Sequence, residues 1–336
     1  MTDPEASPAA APETESEWAA VEPGEKGFGL AHLVLDEGIE TRALGQLYGL
    51  EFDIEDKGFK VAVFLDRYSG RIKVLHYDAT DYRALCNRLS YLAGANDFGK
   101  IFVKARQGDW QRFLQFGFVL EGMMKYYFRG EDAFVMSKFL RAERADTRHV
   151  VAESEIIERL MKKPRNYTPP PLPEGYRLVV ASDEHIPQMV RLYRRTFPTY
   201  PSPLTHPDYI AQTMRQNIRY RVVLNKGGRV VSAASADIDD KDSNAELTDC
   251  ATSKSERGKA LMFHLLRRLE DDMRERGIIT GYTLARAPSV GMNQVFYRLG
   301  YEYTGRLINN CDIAGNFEDM NIWVKRLLPE PAAPES

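Results

Sequence analysis

Ala245-Glu-Leu-Thr-Asp-Cys-Ala-Thr-Ser-Lys-Ser-Glu-Arg-Gly-Lys-Ala260 runs straight into a long amphipathic segment, and that junction decides the architecture. Residues 245–252 alternate as a strand does, which puts Glu246, Thr248, Cys250 and Thr252 on one face and Leu247, Asp249 and Ala251 on the other. Over 258–276, Leu261, Met262, Leu265, Leu266, Leu269 and Met273 share one side of a helix, with Arg267, Arg268, Asp271 and Asp272 opposite, and Gly277 closes it. Between strand and helix lies a short polar loop. A helix start leaves four backbone N–H groups without partners at the positive end of the helix dipole, so this turn is an anion site. Gly258 has no Cβ and Ala260 is small, which lets a diphosphate approach the backbone, while Lys254, Arg257 and Lys259 add positive charge at the rim.

Outward from this junction, the spacing predicts a strand at 176–181, a helix over 183–197 capped by Ser182, and a second helix from 205 to 217. Strands at 219–225 and 229–238 follow, joined through Gly227-Gly228. Beyond the long helix come a strand at 278–286, a short helix at 291–299 and strands at 301–309 and 319–327. Upstream, Pro169-Pro170-Pro171-Leu172-Pro173 is stiff and cannot continue a helix. Residues 147–163 before it have helical spacing, as a joining helix or as a surface helix of the first domain. The first part of the chain is a partial echo of the second. It has strands at 60–66 and 71–77 about Ser69-Gly70, a helix over 81–93, and Lys100-Ile-Phe-Val-Lys-Ala-Arg106, which is similar to Gly281-Tyr-Thr-Leu-Ala-Arg286. Each of those strands is followed by a short helix ending in Gly117 or Gly300 and by two more strands. The first copy has no counterpart of the phosphate-cradling loop. The division predicted is an acidic disordered tail (1–27), a degenerate structural domain (28–145), a connecting helix and Pro-rich linker (146–175), a catalytic domain (176–328) and a disordered tail (329–336).

A chain of 336 residues has room for about two domains, and 43% apolar with 28% charged residues excludes a disordered or fibrous protein. The net charge of −3 is uneven: the two tails hold −6 and −2, leaving a body of +5 with no clustered stripe of Lys and Arg, so nucleic acid is not an expected partner. Cys86, Cys250 and Cys311 are too scattered for a disulfide framework or a zinc site, and the six histidines are isolated; no metal is expected and a reducing cytoplasm is the natural setting. No run of 18 apolar residues exists, so a membrane is not an expected partner either.

The order of elements resembles the GNAT acetyltransferases, and Ser255-Glu-Arg-Gly-Lys-Ala260 resembles that family's Q/R-x-x-G-x-G/A loop, with Ser255 standing where Gln or Arg is usual. The resemblance implies an α/β fold of the α+β type, a mixed, mostly antiparallel sheet flanked by helices, preceded here by a degenerate GNAT-like domain. It also implies acetyl-CoA as co-substrate, with its diphosphate at Arg257, Gly258, Lys259 and Ala260 and its pantetheine arm along the backbone of Cys250, Ala251 and Thr252. A narrower likeness is to the β-lysine N-acetyltransferases, carried by Phe197-Pro-Thr-Tyr-Pro201, Ala234-Ser235-Ala236 with Thr248-Asp249-Cys250-Ala251-Thr252, Met292-Asn293, Leu299-Gly-Tyr-Glu-Tyr303, Gly305-Arg-Leu-Ile-Asn-Asn-Cys311 and Phe317-Glu-Asp-Met-Asn-Ile-Trp323. In the first domain Arg71-Ile-Lys-Val-Leu75, Gly117-Phe118 and Glu121-Gly122 agree with it as well. This implies acetyl transfer, by direct attack in a ternary complex, to the ε-amine of β-lysine, giving the compatible solute Nε-acetyl-β-lysine. A lysine 2,3-aminomutase is the implied pathway partner, and a homodimer is left open. The alternatives are another small amine, such as a polyamine or a diamino acid, and a module that binds acyl-CoA without catalysis.

Chemistry narrows the residues. An alkyl ammonium near pKa 10.4 costs about 4.6 kcal/mol to deprotonate at pH 7, so a general base or a water relay is needed. Glu246 lies six residues before Thr252, a spacing that resembles the base of the histone acetyltransferase branch; Asp249 is the rival, facing the other way unless a bulge re-aims it. Many members of the family place a Tyr four residues before the Gly that ends the fourth helix, to protonate the departing thiolate. Here Phe296 holds that position and Tyr297 is one step round the helix, so either Tyr297 is re-aimed or the thiolate leaves without an acid. Asn293, at the start of the same helix, caps it or bonds the pantetheine amide. An acceptor with a carboxylate and a second ammonium calls for Arg and acidic partners. Arg286, Arg306, Asn309, Asn310, Glu318 and Asp319 are the candidates, with Tyr200 as a pocket wall.

Overall fold

Two stretches of alternating apolar residues, each interrupted by helices, build one sheet. The computed structural model describes residues 30–44, 47–313 and 315–329; the tail 1–27 and residues 330–336 lie outside it. A ribbon of β1 (Leu30–Asp36) and β2 (Ile39–Leu44) precedes the N-terminal lobe. That lobe runs β3 (Leu50–Asp56), β4 (Phe59–Asp66), β5 (Arg71–Ala79), α1 (Tyr82–Ala95), β6 (Lys100–Arg106), α2 (Trp110–Leu114), β7 (Val119–Phe128), β8 (Glu131–Phe139). Helices α3 (Ala142–Ala145) and α4 (Val150–Met161) lead into the C-terminal lobe. This consists of β9 (Arg177–Val180), α5 (Ile186–Thr196), α6 (Pro207–Arg215), β10 (Ile218–Leu224), β11 (Val230–Asp239), β12 (Asn244–Thr252), α7 (Leu261–Glu275), β13 (Thr280–Arg286), α8 (Val290–Arg298), β14 (Glu302–Ile313) and β15 (Asn316–Arg326).

Strand order across the main sheet is β3-β4-β5-β6-β8-β7-β14-β15-β13-β12-β11-β10-β9. All neighbours are antiparallel except β5 with β6 and β12 with β13. Each lobe therefore has antiparallel strands, one parallel step crossed by a helix, and a final hairpin whose second strand inserts beside the parallel one. The lobes meet through the same strand of that hairpin, β7 against β14, so the sheet passes from one to the other without a break.

The meeting point is made by glycine. Gly305 opposes Gly122, and its φ of +152° lies in a region that favours glycine. A Cβ on Gly305 would sit 2.4 Å from the Gly122 Cα and from the Glu121 carbonyl oxygen. Around this contact β14 bulges between Leu307 and Cys311, and the N-terminal lobe satisfies the displaced groups. Lys100, fully buried, pairs with Glu121 at 2.8 Å and donates to the Ile308 carbonyl at 2.8 Å, while the Ile308 N–H donates to Glu121 Oε1 at 2.7 Å. Arg71 donates to the Asn310 carbonyl at 2.8 Å, and Arg144 to the Asn309 carbonyl at 2.7 Å. These bonds explain why β14 continues to Ile313, past the polar pair Asn309-Asn310 where the sequence pattern ends the strand. The long helix starts at Leu261 rather than 258, because residues 254–256 form a 3₁₀ turn and Ala260 adopts a left-handed conformation.

Apolar packing follows the helices. α7 covers Ala245 and Leu247 of β12, and α5 and α6 cover Ala251 with Tyr220 and Val222 of β10. A further cluster joins the lobes directly: Phe102, Met124 and Tyr127 pack with Tyr282, Leu307 and Ile322.

Candidate active site

Strands β12 and β13 pair only over Asn244–Glu246 and Thr280–Tyr282, then separate. Beyond that point β12 pairs with β11 alone, and a bulge shifts its register between Thr248 and Ala251. Asp249 sits at the bulge with φ +53°, a left-handed conformation that costs of order 1–3 kcal/mol in a non-glycine residue and is held by its surroundings. The divergence opens a cleft of about 550 Å³. Thr248, Asp249, Cys250 and Thr252 line one wall and Leu284, Ala285 and Arg286 the other, with the starts of α7 and α8 at one end and Tyr200 at the opposite side.

The α7 terminus supplies an uncapped set of amides. Its N-cap residue, Ala260, has φ +55° and no side chain that caps the helix, and Gly258 has φ +84° with nothing within 4 Å of where a Cβ would be. Arg257 is exposed at the mouth and, among the described residues, has no ion-pair partner; Lys259 is tied to Glu256 at 2.6 Å and to the Tyr176 hydroxyl at 3.2 Å. An anionic diphosphate fits this end, and the free edge of β12 fits an extended chain carrying amides. In the N-terminal lobe the matching helix, α1, is capped by its own carboxylate: Asp81 accepts from the Ala84 N–H at 3.0 Å, so a negative charge already fills that position.

Two carboxylates occupy β12, in different settings. Asp249 is buried and accepts from the Tyr200 hydroxyl at 3.0 Å and the Ser235 hydroxyl at 2.7 Å. Burial pushes its carboxyl up to about 6, against the pull of those two donors. The left-handed turn at this residue re-aims it into the cleft, against the simple alternation expected of the strand. Glu246 lies before the bulge and does not line the cleft; it is in register with Asp237 on β11 and Tyr282 on β13. Burial, with the Asp237 charge beside it, pushes Glu246 up to about 7. Cys250 lines the cleft, but burial holds its thiol well above the usual range, which makes it a poor nucleophile.

Several residues singled out from sequence serve the frame instead. Tyr297 is turned from the cleft and donates to the Lys163 carbonyl at 2.7 Å, fastening the segment after α4; Phe296 lines the cleft in its place. Asn293 is fully buried in a network, accepting at Oδ1 from Asn321 at 2.9 Å and Trp323 Nε1 at 2.8 Å and donating to the Arg286 and Ser289 carbonyls, so no group of it is left for a pantetheine amide. Arg306 donates to Asn321 Oδ1 at 2.9 Å and stands 3.5 Å from Glu153 of α4. Asn309, with φ +42°, donates to the Asp146 carbonyl at the end of α3, and its N–H donates to Asp319 at 2.7 Å. Asn310 serves the inter-lobe bulge through its carbonyl. Of the acceptor candidates, Tyr200 and Arg286 alone line the cleft, and Arg286 is paired with Glu318 at 2.6 Å. Ala251 turns into the α5 core, its carbonyl accepting from Ser232 at 3.1 Å. Tyr167 and Arg298 line the cleft without any signal in the sequence, and Met292, named above only for the family likeness, lines it too. Ser235, likewise named only for that likeness, has its place through the cross-strand register that puts it opposite Thr248, beside the bulge, where it bonds Asp249.

The profile of the Acetyltransferase (GNAT) family matches residues 186–301. A beta-lysine N(6)-acetyltransferase of Methanosarcina mazei is 37% identical over 266 residues, covering 73% of this chain and 98% of its own. The chain belongs to the GNAT acetyltransferase family. Another beta-lysine N(6)-acetyltransferase, of Methanococcus maripaludis, is 31% identical over 73% of this chain and 89% of its own; N-acetyltransferase YodP of Bacillus subtilis is 38% identical over 82% and 98%. Each match is longer than the C-terminal lobe, so the N-terminal lobe is part of what these acetyltransferases share. For a GNAT acetyltransferase, acetyl-CoA is the donor and an amine the acceptor. The uncapped α7 amides, Arg257 and the free edge of β12 are the features of this chain that fit the donor. Among the described residues no helix is long and apolar enough to cross a membrane, and no cluster of His, Cys, Asp and Glu is arranged to hold a metal.

Proposed function

We propose that this GNAT acetyltransferase acetylates the ε-amine of β-lysine by direct attack in a ternary complex, yielding the compatible solute Nε-acetyl-β-lysine. The observation that carries the acceptor is the match, over nearly their whole length, to two relatives named for it. A lysine 2,3-aminomutase supplying β-lysine and a cytoplasmic setting, which suits three free cysteines, complete the proposal. The N-terminal lobe is read as a degenerate GNAT-like copy that has lost the donor site, since Asp81 fills its anion position.

Acetyl-CoA supplies a thioester carbonyl to the cleft between β12 and β13. The acceptor ammonium first gives up one proton; the neutral nitrogen then bonds to that carbon, and as the C–S bond breaks and the amide forms a second proton leaves the nitrogen, so that the products are the amide, CoA thiol and one proton released to solvent. Asp249 is the carboxylate on the β12 wall of the cleft, whereas Glu256, at the α7 end, is paired with Lys259; we assign Asp249 the first proton. Its elevated pKa narrows the gap to an alkyl ammonium, and burial beside apolar walls lowers the ammonium toward it. Tyr200 and Ser235 fix both carboxylate oxygens, which keeps the base aimed. The leaving thiolate, near pKa 8.5 for an ordinary thiol, departs without an acid, a reading supported by Phe296 in the cleft and by the engaged hydroxyl of Tyr297.

Release of CoA thiol from acetyl-CoA, with β-lysine, α-lysine, spermidine or no amine, tests this. Selective turnover of β-lysine is expected. Preference for another amine removes the osmolyte role and keeps the chemistry; tight CoA binding without turnover of any amine leaves a binding module.

A further inference from the structure

Outside the donor cleft, two lysines of the N-terminal lobe face a pair of carboxylates of the C-terminal lobe. Lys73 on β5 and Lys104 on β6 act electrostatically on both Glu246 and Asp237, which are direct register partners on β12 and β11. None of the four forms an ion pair within 4 Å with another of them. Asp237 is exposed and the other three are half-buried. The geometry is fixed from both sides. Lys104 Nζ donates to the Tyr127 hydroxyl, the Tyr127 ring packs on Tyr282 at 5.5 Å, and Tyr282 is the register partner of Glu246. The Asn244 side chain ties the start of β12 to the Tyr127 carbonyl at 3.0 Å, and Lys73 Nζ rests 4.4 Å over the Phe64 ring. The two lobes place opposite charges at matching points of the same framework: Lys73 is the third residue of β5 and Glu246 the third of β12, each on its lobe's parallel step.

Such an arrangement is electrostatically unfinished. Burial holds Lys73 below the ordinary lysine range and, with Asp237, holds Glu246 above the ordinary carboxylate range. A ligand that brings a carboxylate to the lysines and an ammonium to the acids relieves both at once. Glu246 lies three residues along β12 from Asp249, about 10 Å at the rise of a strand, so a ligand anchored here by one end reaches the cleft with the other only if it is an extended chain.

We propose that Lys73 and Lys104 bind the carboxylate of the amino-acid acceptor, with Glu246 and Asp237 holding its non-reacting ammonium, so that the N-terminal lobe sets specificity for an acceptor with a zwitterionic head. This rests on the acceptor reading above and adds which residues recognise the head. Lys73→Met and Lys104→Met, which keep bulk and remove charge, are compared with wild type on β-lysine and on 1,4-diaminopentane, the same diamine without the carboxylate. Wild type prefers β-lysine. Each variant raises KM for β-lysine about 10- to 100-fold, the range of a charge-assisted bond, and leaves 1,4-diaminopentane turnover and CoA binding unchanged. Lys→Arg at the same positions restores most of the preference. A variant that loses both acceptors alike, or keeps the preference, overturns the proposal while the acceptor reading stands. A wild-type protein that does not prefer the carboxylate-bearing acceptor overturns both.

Discussion

Replacing Asp249 by Asn separates stability from catalysis, because the two move in opposite directions. The carboxyl shifts from its ordinary 3.8 to about 6 on folding, chiefly through burial. At 1.36 kcal/mol per pH unit, the ionised group therefore destabilises the fold by ~3 kcal/mol at neutral pH. Asn keeps the shape and removes the charge. It offers one acceptor oxygen where the carboxylate offers two, so either Tyr200 or Ser235 must turn its hydroxyl round, at a loss of about 1 kcal/mol. The net expectation is a gain of ~2 kcal/mol. The sign with pH follows from a raised acid: below 3.8 the group is protonated in both states and carries no penalty, and above about 6 the penalty is complete. Urea unfolding at about pH 7.5 and about pH 4.5 reads this, with the advantage of the Asn variant shrinking sharply at the lower value. Turnover at neutral pH falls at least ~100-fold if Asp249 takes the amine proton. A variant less stable than wild type by the same amount at both pH values refutes the burial argument. Turnover within a few-fold of wild type moves the base to Glu246 or a water.

Gly305→Ala places a Cβ 2.4 Å from the backbone of Glu121 and Gly122 at a positive φ, and is expected to destabilise by about 3 kcal/mol or more, read by thermal unfolding of the full chain. Tyr297→Phe removes the hydrogen bond to Lys163, so stability drops by about 1 kcal/mol while kcat stays within about twofold; a fall of ~100-fold in kcat would restore Tyr297 as the acid. Arg257→Ala weakens CoA binding about tenfold without changing the melting temperature, and titration at rising salt shows the difference narrowing.

The periodicities that built the sheet were plain in the chain. So was the strand-loop-helix junction at 245–260, because each local signal there agreed with the global fold. The orientation of Asp249 was not readable, since a bulge depends on how β11 and β12 align and not on the residues of one strand. Asn293, Arg306, Asn309 and Asn310 are polar groups in suggestive places, and sequence does not show whether a backbone carbonyl or a ligand will satisfy them. The protein does so for three of them: Trp323 and Asn321 for Asn293, Asn321 and α4 for Arg306, and the Asp146 carbonyl for Asn309. Of Asn310 it is the backbone carbonyl that is used, by Arg71, while its buried Oδ1 has no partner among the described residues. Ribbon β1–β2 alternates too weakly to be expected; β3 alternates strictly, with Leu50, Phe52 and Ile54 against Glu51, Asp53 and Glu55, and was legible although the strands expected above begin only at residue 60. Nothing in the local sequence marks Lys73 or Lys104, because only the joining of the lobes brings them before Glu246.

The glycine joint between β7 and β14 relates the lobes much as a two-fold axis relates subunits of a homodimer. Were they separate identical chains, every substitution would appear twice, and a lysine at the position of Lys73 would force a lysine at that of Glu246. Tethering through α3, α4 and the proline segment frees each half to diverge, so one keeps an uncapped helix terminus while the other caps its own with Asp81. It also replaces a dissociation equilibrium with an effective concentration on the order of millimolar. The wall that the N-terminal lobe presents to the C-terminal one therefore stays in place however dilute the protein becomes.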